Sequence, residues 1–219
     1  MRIVLIGCGA LVREVRAVLG QFGAGGVGAS GAGFGASGAG SNGPEVVAHY
    51  LPASLHNRPD RICDALRGAI AEHVQEGDRV IVGYADCGTG GHLDALAVEL
   101  GFTRLPGSHC YEFFAGAQVF AELADAEPGT FYLTDYLARH FEPLIMGALG
   151  IDKHPELRDL YFGNYVRVVF LDQMGNPELL VAAQAAADRL SLAFEHHPTG
   201  LDPFALAVRD LVAAAAVVA

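Results

Sequence analysis

Four cysteines and two histidines are the residues best suited to chemistry: Cys8, Cys63, Cys87, Cys110, His56 and His109. Thiolate sulfur and imidazole nitrogen bind zinc and softer redox metals, and a thiol can also act directly as a nucleophile or acid/base group. No CxxC pair or finger spacing is present, so local spacing does not name a site. Position says more. Cys8 follows the apolar run Arg2–Ile6, His56 follows Glu45–Tyr50, Cys87 follows Arg79–Tyr84, and His109 and Cys110 follow Phe102–Leu105. If each run is a strand of a parallel sheet, these groups share the carboxyl edge, where open α/β sheets bind ligands. The expected metal site is therefore Cys8, His56, Cys87 and Cys110, holding a divalent metal: zinc first, with iron, cobalt or nickel as alternatives. The competing reading, that a cysteine is a small core hydrophobe, fits Cys63, which shares a helix face with Ile62, Leu66, Ile70 and Val74. It fits Cys87 and Cys110 poorly, because both sit at expected helix starts, where the dipole favours a thiolate.

A second signal lies in Asp86 to Gly91. Gly88, Thr89, Gly90 and Gly91 form a turn between a strand and a helix that could present N–H groups to the anion of a small ligand, with Arg13 as a candidate countercharge. The competing reading is a tight turn needed for packing alone. Glu112, two residues beyond Cys110, is a candidate acid/base group or a first-turn helix acid. Asp135 either joins the rim or caps a helix. Tyr161, Asn164 and Tyr165 read either as a polar-aromatic binding wall or as core packing with one polar tip. His196 and His197 are adjacent on a strand and point to opposite faces, so they do not make one metal site.

The elements that must position these residues alternate. Strands are expected at 2–6, 45–50, 79–84, 102–105, 130–133, 166–171 and 193–196. Helices are expected at 10–19, 59–75, after the glycine-rich turn to Leu100, from Cys110 to Ala126, at 135–149 and 156–161, at 177–190 and at 203–218. That order predicts an α/β fold: a doubly wound, mostly parallel sheet with helices on both faces, Rossmann-like. The expected organisation is one domain over 1–219 with a Gly-rich insertion at 20–43, compositionally a linker.

Composition narrows the function classes. The net charge of −11 is wrong for wrapping nucleic acid or binding an anionic membrane surface. With 52% hydrophobic residues the chain can bury a core. The uncharged tract 17–44 is too glycine-rich for a membrane span, and the apolar run before Cys8 is too short for a signal peptide, so a cytoplasmic protein is expected. Four cysteines are too few for a disulfide scaffold.

The segments GCGALVRE at 7–14, LHNRP at 55–59, GYADCGTGG at 83–91, GSHCYEFF at 107–114, YLTDYLARHF at 132–141 and DKHPELRDLYFGNY at 152–165 together resemble the DUF1638 family. The resemblance spans nearly the whole chain except 20–43. It implies a domain of unknown function, reminiscent of proteins that accompany corrinoid-dependent methyl transfer from methylated amines. A corrinoid or methyltransferase partner is thus implied, and the family motifs contain Cys8, His56, Cys87 and Cys110. Three expectations follow: a metal-binding protein or enzyme linked to one-carbon metabolism; a metal-free enzyme using Cys87 and Cys110 as a racemase-like acid/base pair on a small carboxylate; or a small-molecule, anion-binding module.

Overall fold

A computed structural model describes residues 1–21 and 44–217. Beyond Gln21, the Gly-rich insertion expected at 20–43 lies outside the described residues. The fold is α/β with parallel strands, as expected. The described strands make two sheets rather than one, and the chain divides into two compact units, Met1–Phe113 with Phe204–Ala219, and Phe114–Pro203.

The first unit holds β1 (Arg2–Cys8), β2 (Glu45–Leu51), β3 (Arg79–Gly83) and β4 (Thr103–Arg104) in the order β2-β1-β3-β4. Its helices are α1 (Val12–Gln21), α2 (Ile62–His73) and α3 (His92–Leu100), and α4 (Cys110–Ala115) begins in it and runs across the boundary at Phe113. The near-continuous apolar runs VLI and VIV reflect strands covered on both faces. Side chains alternate along β1, so Val4 and Ile6 enter one core with Ile62 and Leu66 of α2 and Leu93 and Leu96 of α3. Cys8 continues that parity, and both Cys8 and Cys87 pack against this core. From β1 the chain crosses first to β2 on one side and then to β3 on the other. The strand order therefore reverses between β1 and β3, which makes a topological switch point.

The second unit carries β5 (Thr130–Thr134), β6 (Arg167–Asp172) and β7 (Ala193–Pro198) in sequence order, all parallel. Around them lie α5 (Ala117–Ala126), α6 (Asp135–Arg139), α7 (Leu157–Phe162) and α8 (Pro177–Leu190). The helix expected from Cys110 to Ala126 is broken at Gly116, whose φ of +84° a side chain rarely tolerates. The helix expected over 135–149 becomes α6 followed by a π-helical segment, Glu142–Gly147, containing Pro143, which has no N–H to donate. The closing helix α9 spans Asp202–Val217. No described helix is long and apolar enough to cross a membrane.

Candidate metal and thiol site

Three thiols meet the carboxyl edge of the first sheet from three directions. Cys8 is the last residue of β1, Cys87 lies in the turn after β3, and Cys110 opens α4 beyond β4. Backbone bonds hold the second and third loops together: Asp86 N–H donates to Gly107 O at 3.1 Å and Cys87 N–H to Ser108 O at 2.8 Å. Cys87 has φ +51°, a left-handed conformation uncommon for a residue with a side chain, at a cost on the order of 1 kcal/mol. The Tyr84 hydroxyl is buried without a hydrogen bond of ordinary geometry and lies against the Cys8 thiol.

The electrostatics of the thiols reflect what surrounds them. Burial raises all three; it pushes Cys87 up to about 12 and Cys110 well above the usual thiol value. The next contributions to Cys87 and Cys110 come from the other thiols of the set: Cys8 acts on Cys87, and both Cys87 and Cys8 act on Cys110. The expectation that helix starts would favour thiolates at Cys87 and Cys110 is thus reversed. Cys87 lies in a turn several residues ahead of α3, and at Cys110 the loss of hydration outweighs the few N–H dipoles of a short helix. Arg104, the cation that acts on Cys87, commits its guanidinium to Asp94 in a two-pronged pair at 2.6 and 3.0 Å and to the carbonyls of Leu105 and Gly107.

His56 lies in the 3-10 turn Ala53–Asn57 after β2, and its imidazole is pushed down by burial and then by His109, so the two rings are neighbours. Cys8, His56, Cys87 and Cys110 all lie in segments that follow strands of the first sheet. Their convergence on a common point is not reached, since among the described residues no three of His, Cys, Asp or Glu form a group that could hold a metal ion.

A family model described as a protein of unknown function, DUF1638, matches residues 50–207. The chain belongs to this family. The matched stretch takes in His56, Cys87 and Cys110 and begins after Cys8. No curated protein and no solved structure matches the chain.

In this DUF1638 chain the glycine-rich turn carries its own anion. The Asp86 carboxylate accepts from Thr89 Oγ1 at 2.6 Å, Gly90 N–H at 3.1 Å and Gly91 N–H at 2.9 Å. These bonds hold Asp86 below the usual carboxylate range despite burial, which opposes them. The cradle expected for a ligand anion at Gly88, Thr89, Gly90 and Gly91 is therefore occupied by a side chain, and positive φ at Gly88, Gly90 and Gly91 serves that turn. Beside it lies an open pocket of about 510 Å³ lined by Pro59, Asp60, Cys63, Gly88, Thr89 and His92. Cys63 both packs against the core and lines this pocket.

The other candidates are placed as follows. Arg13 is exposed on α1. Its neighbour Glu14 is buried, and its charge bears on Cys8. Glu112 accepts from Ser108 N–H at 2.9 Å, closing the loop that leads into α4. Asp135 opens α6, directly after β5 of the second sheet, and that helix is capped by Thr134, which accepts from Leu137 N–H. Of the three residues weighed as core in the YFGNY segment, only Tyr165 packs inward, against Phe131 and Phe162; Tyr161 is 45% exposed and Asn164 is exposed, because they lie on the solvent side of α7 and its exit. One pair escaped sequence reasoning: Asp172, at the end of β6, meets His196 of β7 at 3.0 Å.

Proposed function

We propose that this DUF1638 protein binds a soft divalent metal, zinc first, through Cys8, Cys87 and Cys110, with His56 as the fourth donor. The observation that carries this reading is the delivery of three shielded thiols from three strand ends to the switch point of one parallel sheet, close enough to act on one another. A thiol that works alone needs a positive partner to ionise. Here the nearby guanidinium is committed to Asp94, so the charge that would draw these thiols together and deprotonate them is one a metal ion supplies. Cys87, next to Gly88 in its turn, and Cys110 at a loop–helix junction are the donors best placed to close on the ion. A bound zinc would act as a Lewis acid toward a substrate thiol or oxygen. A cytoplasmic setting would keep the thiols reduced, and the link to corrinoid-dependent methyl transfer rests on the family resemblance.

A second reading draws on the separation of the donors. Neutral, shielded Cys87 and Cys110 could exchange protons with a small substrate without a metal.

The experiment is metal analysis of reduced, tag-free protein, followed by cobalt loading monitored through thiolate-to-cobalt absorption. About one equivalent of metal is expected. Cys87→Ser and Cys110→Ser should abolish loading, while Cys63→Ala, which leaves the proposed donors in place, should retain it at a stability cost on the order of 1 kcal/mol. Protein that stays metal-free after exposure to zinc, iron, cobalt and nickel would overturn the metal reading in favour of the two-thiol one.

A further inference from the structure

The second sheet has a carboxyl edge of its own, and it carries a different chemistry. Asp172, the last residue of β6, is only 5% exposed. Its Oδ1 accepts Gly175 N–H at 2.7 Å, and its Oδ2 faces His196 Nε2 at 3.0 Å. Its main-chain carbonyl accepts from Thr199 N–H, Gly200 N–H and the Thr199 hydroxyl. The next residue is clamped to the end of β5: Asp135 N–H donates to Gln173 Oε1 at 2.7 Å, and Gln173 N–H returns a bond to Asp135 Oδ1 at 3.0 Å. The Gln173 amide also donates to Leu171 O. The Asp172 carboxylate is therefore fixed in position from several sides, far more firmly than a solvent-exposed ion pair requires.

Among the described residues His196 is its one ionisable hydrogen-bond partner, and it is the member that reaches solvent, with its side chain 34% exposed. Its ring stacks on Phe170, the residue opposite it in the β6–β7 register, at 5.9 Å and 19°. A carboxylate oxygen can only accept, so Nε2 carries the proton and donates it to Asp172. In the neutral ring this leaves the lone pair on Nδ1, which has no hydrogen-bond partner among the described residues. Asp172 Oδ2 is the carboxylate oxygen that faces the ring.

We propose that Asp172 and His196 form a proton-accepting dyad at the carboxyl edge of the second sheet, serving a small molecule with a weakly acidic O–H or C–H. In the step assigned to it, the Nδ1 lone pair forms a new N–H bond and the substrate's O–H or C–H bond breaks. The bonding pair stays on the substrate as its conjugate base. The imidazolium that results is stabilised by the Asp172 carboxylate, which orients the ring and does not itself take the proton. Asp172 is thus a positioning residue and His196 the base. The site is independent of the thiol rim, and its failure would leave the metal proposal untouched.

The test uses diethyl pyrocarbonate on the full chain at neutral pH, with each histidine's acylation rate followed by mass spectrometry of peptides. The internal reference is His154, whose side chain is 63% exposed and whose Nδ1 stands 3.3 Å from the equally solvent-facing Glu156, so that it controls for a carboxylate neighbour that is not fixed in place. On accessibility alone His154 should react first. The dyad predicts that His196 reacts several-fold faster than His154, and that Asp172→Asn slows His196 on the order of tenfold or more while His154 is unchanged. A His196 rate at or below that of His154, or one indifferent to Asp172→Asn, would overturn the proposal. If Asp172→Asn fails to fold, nitrogen-15 shifts of the wild-type ring decide: the Nε2–H tautomer supports the dyad, and the Nδ1–H tautomer refutes it.

Discussion

Asp135 shows how one residue can be legible by type and illegible by role. Its place after a strand and before a helix suggests a rim group or a cap. The cap is Thr134, and the Asp135 side chain instead serves Gln173, leaving Oδ2 buried without a hydrogen bond of ordinary geometry. Burial raises its pKa first; the charge of Asp172 adds to this, and the Gln173 N–H opposes it. A carboxyl whose folded pKa lies above its unfolded value contributes stability that is fully present below the unfolded pKa. That stability is lost as pH rises through the folded one. Asp135→Asn removes the titration, so its stability relative to wild type should improve from about pH 4 to about pH 7. Urea unfolding of both proteins at the two pH values checks this; an Asn variant that does relatively worse at neutral pH would show that the ionised carboxylate is favoured there. The thiols teach the same lesson. Their placement at strand ends can be read from apolar runs, whereas their protonation depends on depth of burial, which no spacing records.

At the scale of elements, close backbone approach fixes the thiol rim. Gly7 and Gly83 are register partners between β1 and β3, and a Cβ on Gly83 would stand 3.0 Å from Gly7 Cα. Just beyond Cys8, a Cβ on Gly9 would meet Leu51 O at 2.7 Å and Ala53 N at 3.2 Å, both main-chain atoms of the β2 exit. Neither can yield as a flexible side chain could. Gly9→Ala should therefore cost roughly 1–3 kcal/mol, with a lower urea midpoint, and should alter the reactivity of Cys8 toward a thiol reagent. Gly68→Ala is the contrast: exposed within α2 and with nothing within 4 Å of its Cβ position, it should stabilise by roughly 0.5–1 kcal/mol. Equal effects at the two positions would refute the close-approach account. Strands and helices were readable here because covered parallel strands are apolar runs bounded by glycine and polar turns. The Asp172–His196 contact was not, because it depends on a cross-strand register between β6 and β7 that neither segment encodes alone.

At the scale of the whole molecule, β-α alternation reads the same whether a fifth strand extends the first sheet or founds a second. Sheet membership is decided by pairing, and here β5 pairs with β6, starting a new sheet. The two units also differ in continuity. The first needs Phe204 of α9, fully buried, whose ring lies 5.3 Å from that of Phe113, so its chain is interrupted. The second is one unbroken stretch, Phe114–Pro203, with its own parallel sheet. It has fully buried Leu133, Val168, Val169, Phe170 and Leu171, and Leu179, Ala183 and Leu190 are buried along α8. Small domains bury a limited share of their surface and are marginal, but this one has a contiguous apolar centre and mostly local connections. Residues 114–203 expressed alone should therefore show helical circular dichroism and a cooperative thermal transition. Residues 1–113 alone, lacking Phe204, should not melt cooperatively. A fragment 114–203 that unfolds without a transition would mean that the second sheet depends on the rest of the chain for its stability. The dyad at its edge would then have to be studied only in the full-length protein.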